Sequence, residues 1–203
     1  MSELTPTRSL AIQLGEERRT MREGYAFLDE KCLLLAGRML AEVRRWQHAT
    51  RELAVAQADA RKQLGAAVAR HGLNGLQVYA AARSTQPLGI ERNDLLGVAL
   101  LDAHLIGDAL VAPQPVHASP EAQACRRAYT ALIARLVELA ALSGNLARLY
   151  AEYRKTVRRV RALQDVLLPE LERTIGEIET SLEELEQDEF GFLRRAARAA
   201  SAS

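Results

Sequence analysis

The residues that could do chemistry are few, and their spacing forms no recognisable site. Four histidines, His48, His71, His104 and His117, are scattered along 203 residues. None belongs to an HExxH motif or to the close groups of His and Cys that hold zinc. No GxxxxGK[ST] or GxGxxG loop is present to cradle a phosphate, and no serine sits in a GxSxG turn. Cys32 falls on an apolar stripe and reads as core, while Cys125 has no histidine near it in sequence. Two cysteines do not make a disulfide framework. Acidic pairs such as Glu183–Glu184 read as a solvated face. No cofactor or metal is expected. An enzyme reading would need a pocket assembled in space around His71, His104 or His117, within residues 71–119.

Charge is patterned although its sum is only +1. Arg154, Lys155, Arg158, Arg159 and Arg161 cluster within about two helical turns. An acidic block follows from Glu170 to Glu189, opposed only by Arg173, and Arg194, Arg195 and Arg198 turn the chain basic again. The basic cluster lacks interleaved aromatics and adjoins strong acid, so nucleic acid is not an expected partner. One reading of these blocks is solubility and pairing with another helix. The other is graded contact with a partner, where charge sets register and orientation. Residues 1–20 carry six charges and no secretory core. The least polar run, Leu95 to Val111, is broken by Asp102, His104 and Asp108, so no membrane insertion is expected.

The elements that must position these residues are helical. Aromatics make up 4% of the chain, and Ala and Leu dominate its apolar part. Between residues 7 and 69, Leu10, Leu14, Met21, Tyr25, Leu28, Cys32, Leu35, Met39, Val43, Trp46, Leu53 and Ala60 recur mostly at steps of three and four. That is a coiled-coil seam, with a stutter at Leu35–Met39–Val43. A second stripe runs through residues 120–193: Leu132, Leu136, Leu139, Ser143, Leu146, Tyr150, Tyr153, Val157, Val160, Gln164, Leu167, Leu171, Ile175, Ile178, Leu182 and Leu185. Ser119-Pro120-Glu121 is a helix start, and Pro169 bends the helix or opens its hydrogen-bond ladder. Residues 70–119 hold clustered Gly and Pro and form a small globular bend. There Leu76–Ala82 and Leu95–Leu101 are candidate strands, with the turn at Ser84–Gly89 and a short helix at Leu101–Leu110. Residues 194–203 make a flexible basic tail. The fold class is mainly α: two long terminal helices in an antiparallel coiled coil with a small element at the bend. Register near 10 against 185 keeps the cysteines apart.

Two patches resemble one family, the D subunit of the V-type and A-type rotary ATPases. Near the start are Pro6-Thr7-Arg8, Leu10, Leu14, Gly24, Leu28, Glu30 and Lys31. Near the end, Lys155-Thr156-Val157-Arg158-Arg159-Val160-Arg161-Ala162-Leu163-Gln164 precedes Leu168-Pro169, close to the family's RRVNALE followed by proline. Ile175, Ile178, Leu182, Glu183, Glu184, Glu186, Glu189 and Phe190 resemble the helix that follows, and Leu96-Gly97-Val98 its hydrophobic–Gly–Val piece. Arg161 stands in place of the family's Asn, Gln164 in place of its Glu, and Leu100 in place of a proline.

The resemblance implies a central rotor shaft, itself without catalytic residues. It would transmit torque between the A3B3 hexamer and the membrane ion-translocating rotor, as a peripheral complex on the cytoplasmic face of a bacterial plasma membrane. The implied partners are the A and B subunits, the small rotor F subunit and a membrane-proximal adaptor. Pro6, Thr7, Arg8, Arg158, Arg159, Glu183, Glu184, Glu186, Glu189 and Phe190 would face the hexamer. Leu76, Val78, Leu96 and Val98 would contact other rotor subunits at the bend. A generic coiled-coil scaffold or adaptor is the alternative. The gamma subunit of F-type ATPases would need a larger domain between its helices.

Overall fold

The computed structural model describes residues 7–76, 88–106 and 118–201, with side chains through Arg195. A long N-terminal helix and a long C-terminal helix flank a small two-stranded antiparallel sheet. Helix α1 spans Arg8–Leu76, strands β1 and β2 span Leu88–Leu95 and Val98–Leu105, and α2 spans Pro120–Ala162. A π-helical turn, Leu163–Leu167, leads into α3, Leu168–Ser201.

Local chemistry accounts for the helix ends and interruptions. The Leu10 amide donates to Thr7 Oγ1 at 3.2 Å, a side-chain cap on the first turn of α1. Regular helix geometry is interrupted at Gly72, whose φ of 68° and ψ of 166° suit a residue without Cβ. Ser119 starts α2: its Oγ accepts from the Ala122 amide at 3.1 Å and its carbonyl from the Gln123 amide at 3.1 Å. Pro169 has no amide to offer the carbonyl one turn back, and its ring would crowd that carbonyl. The wider π turn sits directly before it, closed by the Leu168 amide on the Leu163 carbonyl.

The chain divides into two compact units. The first comprises Met1–Leu33 and Arg154–Ser203. There α1 and α3 lie antiparallel, tied by Arg22 to Glu172 at 2.6 Å and by Arg8 to Glu186. Among the described residues, Cys32, Val160, Leu171, Ile175 and Ile178 are its buried apolar side chains.

The second unit is Leu34–Tyr153. Here α1 and α2 are antiparallel, joined by Arg70 to Glu121 at 2.7 Å, by Arg135 to Glu52, and by Trp46 Nε1 donating to Ser143 Oγ at 3.1 Å. Leu53, Ala60 and Leu132 form one core cluster. Leu35, Leu149, Val98 and Leu100 form another, which is where the hairpin docks. Glu42 is fully buried beside this cluster in sequence; Arg38 at 2.7 Å and Arg45 at 3.3 Å both reach its Oε1. Arg45 extends on to Asp102 of β2 at 3.4 Å.

Several sequence expectations change. The α2 face that packs carries Leu142, Asn145 and Leu149, while Leu136 and Tyr150 of the expected stripe are exposed. An Ala- and Leu-rich helix offers more than one apolar stripe, and tertiary contact selects between them. The described hairpin turns at Leu96-Gly97, where Leu95 pairs with Val98 across a two-residue loop; Gly89 of the expected turn lies in β1, and residues 84–87 lie outside the described residues. Leu76 is helical and the remainder of the expected strand to Ala82 lies outside the described residues. Leu101–Leu105, expected as helix, belongs to β2, and residues 107–110 lie outside the description. By length and composition, Pro120–Arg195 also holds one 18-residue window able to cross a membrane, with mean hydropathy 1.3 and 11% of it buried. The sequence reading missed it. A single such window is weak ground for a span.

Candidate partner-binding surfaces

Three groups of expected contact residues receive positions. In the first unit, Arg8 meets the acidic end of α3, and Thr7 beside it in sequence caps the first turn of α1. Arg8 is held by Glu186, and that hydrogen bond and charge raise the guanidinium pKa above its ordinary value. Glu183, Glu184 and Glu189 stand in water, and Phe190 is 67% exposed. Phe192 and Leu193, which sequence reasoning left out, are exposed beside them. Their signal was available: Phe190, Phe192 and Leu193 follow directly on the acid-rich stretch Glu183–Glu189. Pro6 lies outside the described residues.

Arg158 and Arg159 form a second patch, exposed near the end of α2. They are not brought together with Arg8: the π turn and much of α3 separate them along the chain. The π turn adds exposed Val166 and Leu167, which the sequence stripe had placed as unnoticed surface and seam.

The third group is the bend. Leu96 is exposed at the hairpin tip, and its φ of 51° with Gly97 at 84° gives the left-handed pair that a tight two-residue hairpin turn demands. Leucine is an unusual choice there, since Cβ crowding costs about 1–2 kcal/mol. Leu76 is half-buried at the end of α1. Val98 packs with Leu35, Leu100 and Leu149, so its side chain serves this chain's core and is withdrawn from any partner. That corrects its expected contact role. Val78 lies outside the described residues.

The candidate chemistry of the bend resolves into structure-holding contacts. His71 Nε2 is 2.6 Å from Ser119 Oγ, at the cap of α2. The exposed His104 ring lies where a Cβ on Gly89 would stand, so glycine there makes room for it. His117 lies outside the described residues. Burial pushes both cysteine thiols up in pKa, Cys32 chiefly by desolvation and Cys125 by the same cause. Both are free. A raised thiol pKa disfavours the thiolate that nucleophilic chemistry would use. Sequence reasoning also missed Asn145, a buried amide on α2 that bonds to the backbone of β2.

Paired long helices and a small docked hairpin define a mainly helical protein. The sequence profile of the ATP synthase D-subunit family matches residues 11–198, and this chain belongs to that family. Among its relatives, the D subunit of the V-type ATP synthase of Thermus thermophilus is 30% identical over 203 residues, covering 96% of this chain and 88% of that protein. The D subunit of the V-type ATP synthase of Thermotoga neapolitana is 25% identical, with 95% and 96% covered. The D subunit of the A-type ATP synthase of Methanopyrus kandleri is 25% identical, with 96% and 86% covered.

Proposed function

We propose that this chain is the central rotor-stalk component of a V/A-type ATPase or ATP synthase, carrying torque between an A3B3 catalytic hexamer and a membrane ion-translocating rotor. The observation behind this reading is the family match, which runs through both long helices. The antiparallel pairing within each unit supports it, because paired helices resist bending and twisting better than one. Catalysis and nucleotide binding belong to the A and B subunits on this reading, and the chain uses no cofactor of its own.

The end of the first unit, Thr7, Arg8, Glu183, Glu184, Glu186, Glu189 and Phe190, faces the inside of the hexamer, and Pro6, outside the described residues, is a further contact on this reading. Arg158 and Arg159 act nearer its mouth. Leu76, Val78 and the hairpin tip at Leu96 meet the small F subunit and the membrane-proximal adaptor. Different charge around the helix surface then favours a different conformation of each catalytic interface as the rotor turns, a population shift driven by differential contact. The complex sits on the cytoplasmic face of a bacterial plasma membrane, and this chain inserts in no bilayer and binds no nucleic acid.

The test is reconstitution with cognate A and B subunits. One copy entering the ring, measured by mass, together with a changed ATPase rate supports the shaft. No association where the ring itself forms would leave a generic coiled-coil adaptor.

A further inference from the structure

At Ala99 and Leu101 the outer edge of β2 is taken up by side chains of α2. Asn145 Oδ1 accepts from the Leu101 amide at 2.8 Å, and Asn145 Nδ2 donates to the Leu101 carbonyl at 2.9 Å. This two-bond exchange is what a residue on a neighbouring antiparallel strand would provide. One turn along α2, Arg148 donates Nε to the Ala99 carbonyl at 2.8 Å and Nη2 to Asn145 Oδ1 at 2.7 Å. The pairing of Leu95 with Val98 turns the backbone groups of alternate residues, 99 and 101 among them, away from β1. The helix therefore engages two of the positions that the hairpin itself leaves unpaired, those nearest its turn.

Asn145 is 2% exposed, in a core where leucine neighbours surround it in sequence. A buried amide is tolerated there because both of its ends are satisfied. The α1 side adds the link from Glu42 through Arg45 to Asp102. At the far end of the ribbon, Leu96 is exposed and held at a φ that leucine disfavours, and such strain persists only where the surroundings enforce it.

We propose that Asn145 and Arg148 act as a strand surrogate, clamping the hairpin to α2 so that its tip at Leu96 is held in a fixed position. Asn145 is a positioning residue. The clamp stands on this chain's own geometry and does not depend on the rotor reading.

Amide hydrogen exchange on the full chain tests it, with Asn145→Leu and Asn145→Asp compared. Leucine removes both bonds, whereas aspartate keeps the acceptor for the Leu101 amide and for Arg148. In Asn145→Leu the Leu101 amide should exchange about tenfold faster, the effect of losing one hydrogen bond, while helix amides keep their rates. Backbone order parameters at Leu96 and Gly97 should fall. Asn145→Asp should leave Leu101 protected. Unchanged Leu101 exchange in the leucine variant overturns the clamp, and so does a uniform rise along α1 and α2, which would make Asn145 an ordinary core residue. Should the leucine variant not fold, Arg148→Gln must still lower the order parameter at Leu96; no change there also overturns it. Failure of the wild-type chain to alter ATPase in the reconstituted ring would instead count against the rotor reading and leave the exchange result standing.

Discussion

Leu96 is where a single side chain is most at odds with its backbone. Replacing it with Asn gives the Asn-Gly pair preferred in tight hairpin turns. Leu96→Asn should stabilise the chain by about 1 kcal/mol, read as a higher midpoint in urea denaturation. If Leu96 meets a partner, the same variant should bind that partner less well, so stability and affinity would move in opposite directions. Glu121 carries a pH dependence. Its pKa is lowered first by backbone hydrogen bonding at the start of α2, and then by Arg70 and Ser119 against an opposing desolvation. A carboxylate depressed in the folded state adds stability above its unfolded pKa, and that stability is lost as pH falls through the depressed value. Glu121→Gln should therefore flatten the acid side of the stability profile and leave neutral and alkaline pH differences constant. Stability measured from pH 3 to 8 decides this; a variant curve parallel to wild type throughout would reject the assignment.

Among the elements, the helices are legible in the sequence and the hairpin is only partly so. The Ser119-Pro120-Glu121 start can be read because capping is chemistry among neighbours. Stripe residues such as Leu35, Leu53 and Ile175 are indeed buried. Asn145 and Leu149 were hidden because their face is chosen by the hairpin, a contact between distant residues. β1 was hidden because Glu91, Arg92, Asn93 and Asp94 make it read as a loop. For the surfaces, sequence supplied Arg8 and the acidic run, and the expected register of 10 near 185 places Arg8 within one residue of the Glu186 that it meets. Sequence mistook Val98 for surface, since a valine beside a turn carries no mark of the helix that will cover it. Pro169 is legible as a ladder-opening residue, and the π turn is its structural outcome. Pro169→Ala restores an amide donor and removes the ring, so it should stabilise the chain by about 1–3 kcal/mol, measured by thermal unfolding.

For the whole molecule, the prediction concerns charge. Reversing Arg158 and Arg159 to Glu places two more acids on a chain whose following helix is already acidic. On the rotor reading this should slow entry into the A3B3 ring and weaken coupling, with the difference shrinking as salt rises. Unchanged assembly, hydrolysis and coupling at low salt would remove these arginines from the contact surface. Finally, the docked ribbon bears on solubility. Any exposed strand edge is a template on which further copies of a chain can stack. Here growth from β2 would first have to evict Asn145 and Arg148, and growth from β1 would have to align the charges of Glu91, Arg92 and Asp94 with those of the incoming strand. The same contacts that hold the hairpin in place thus obstruct strand addition at the β2 edge beside the turn.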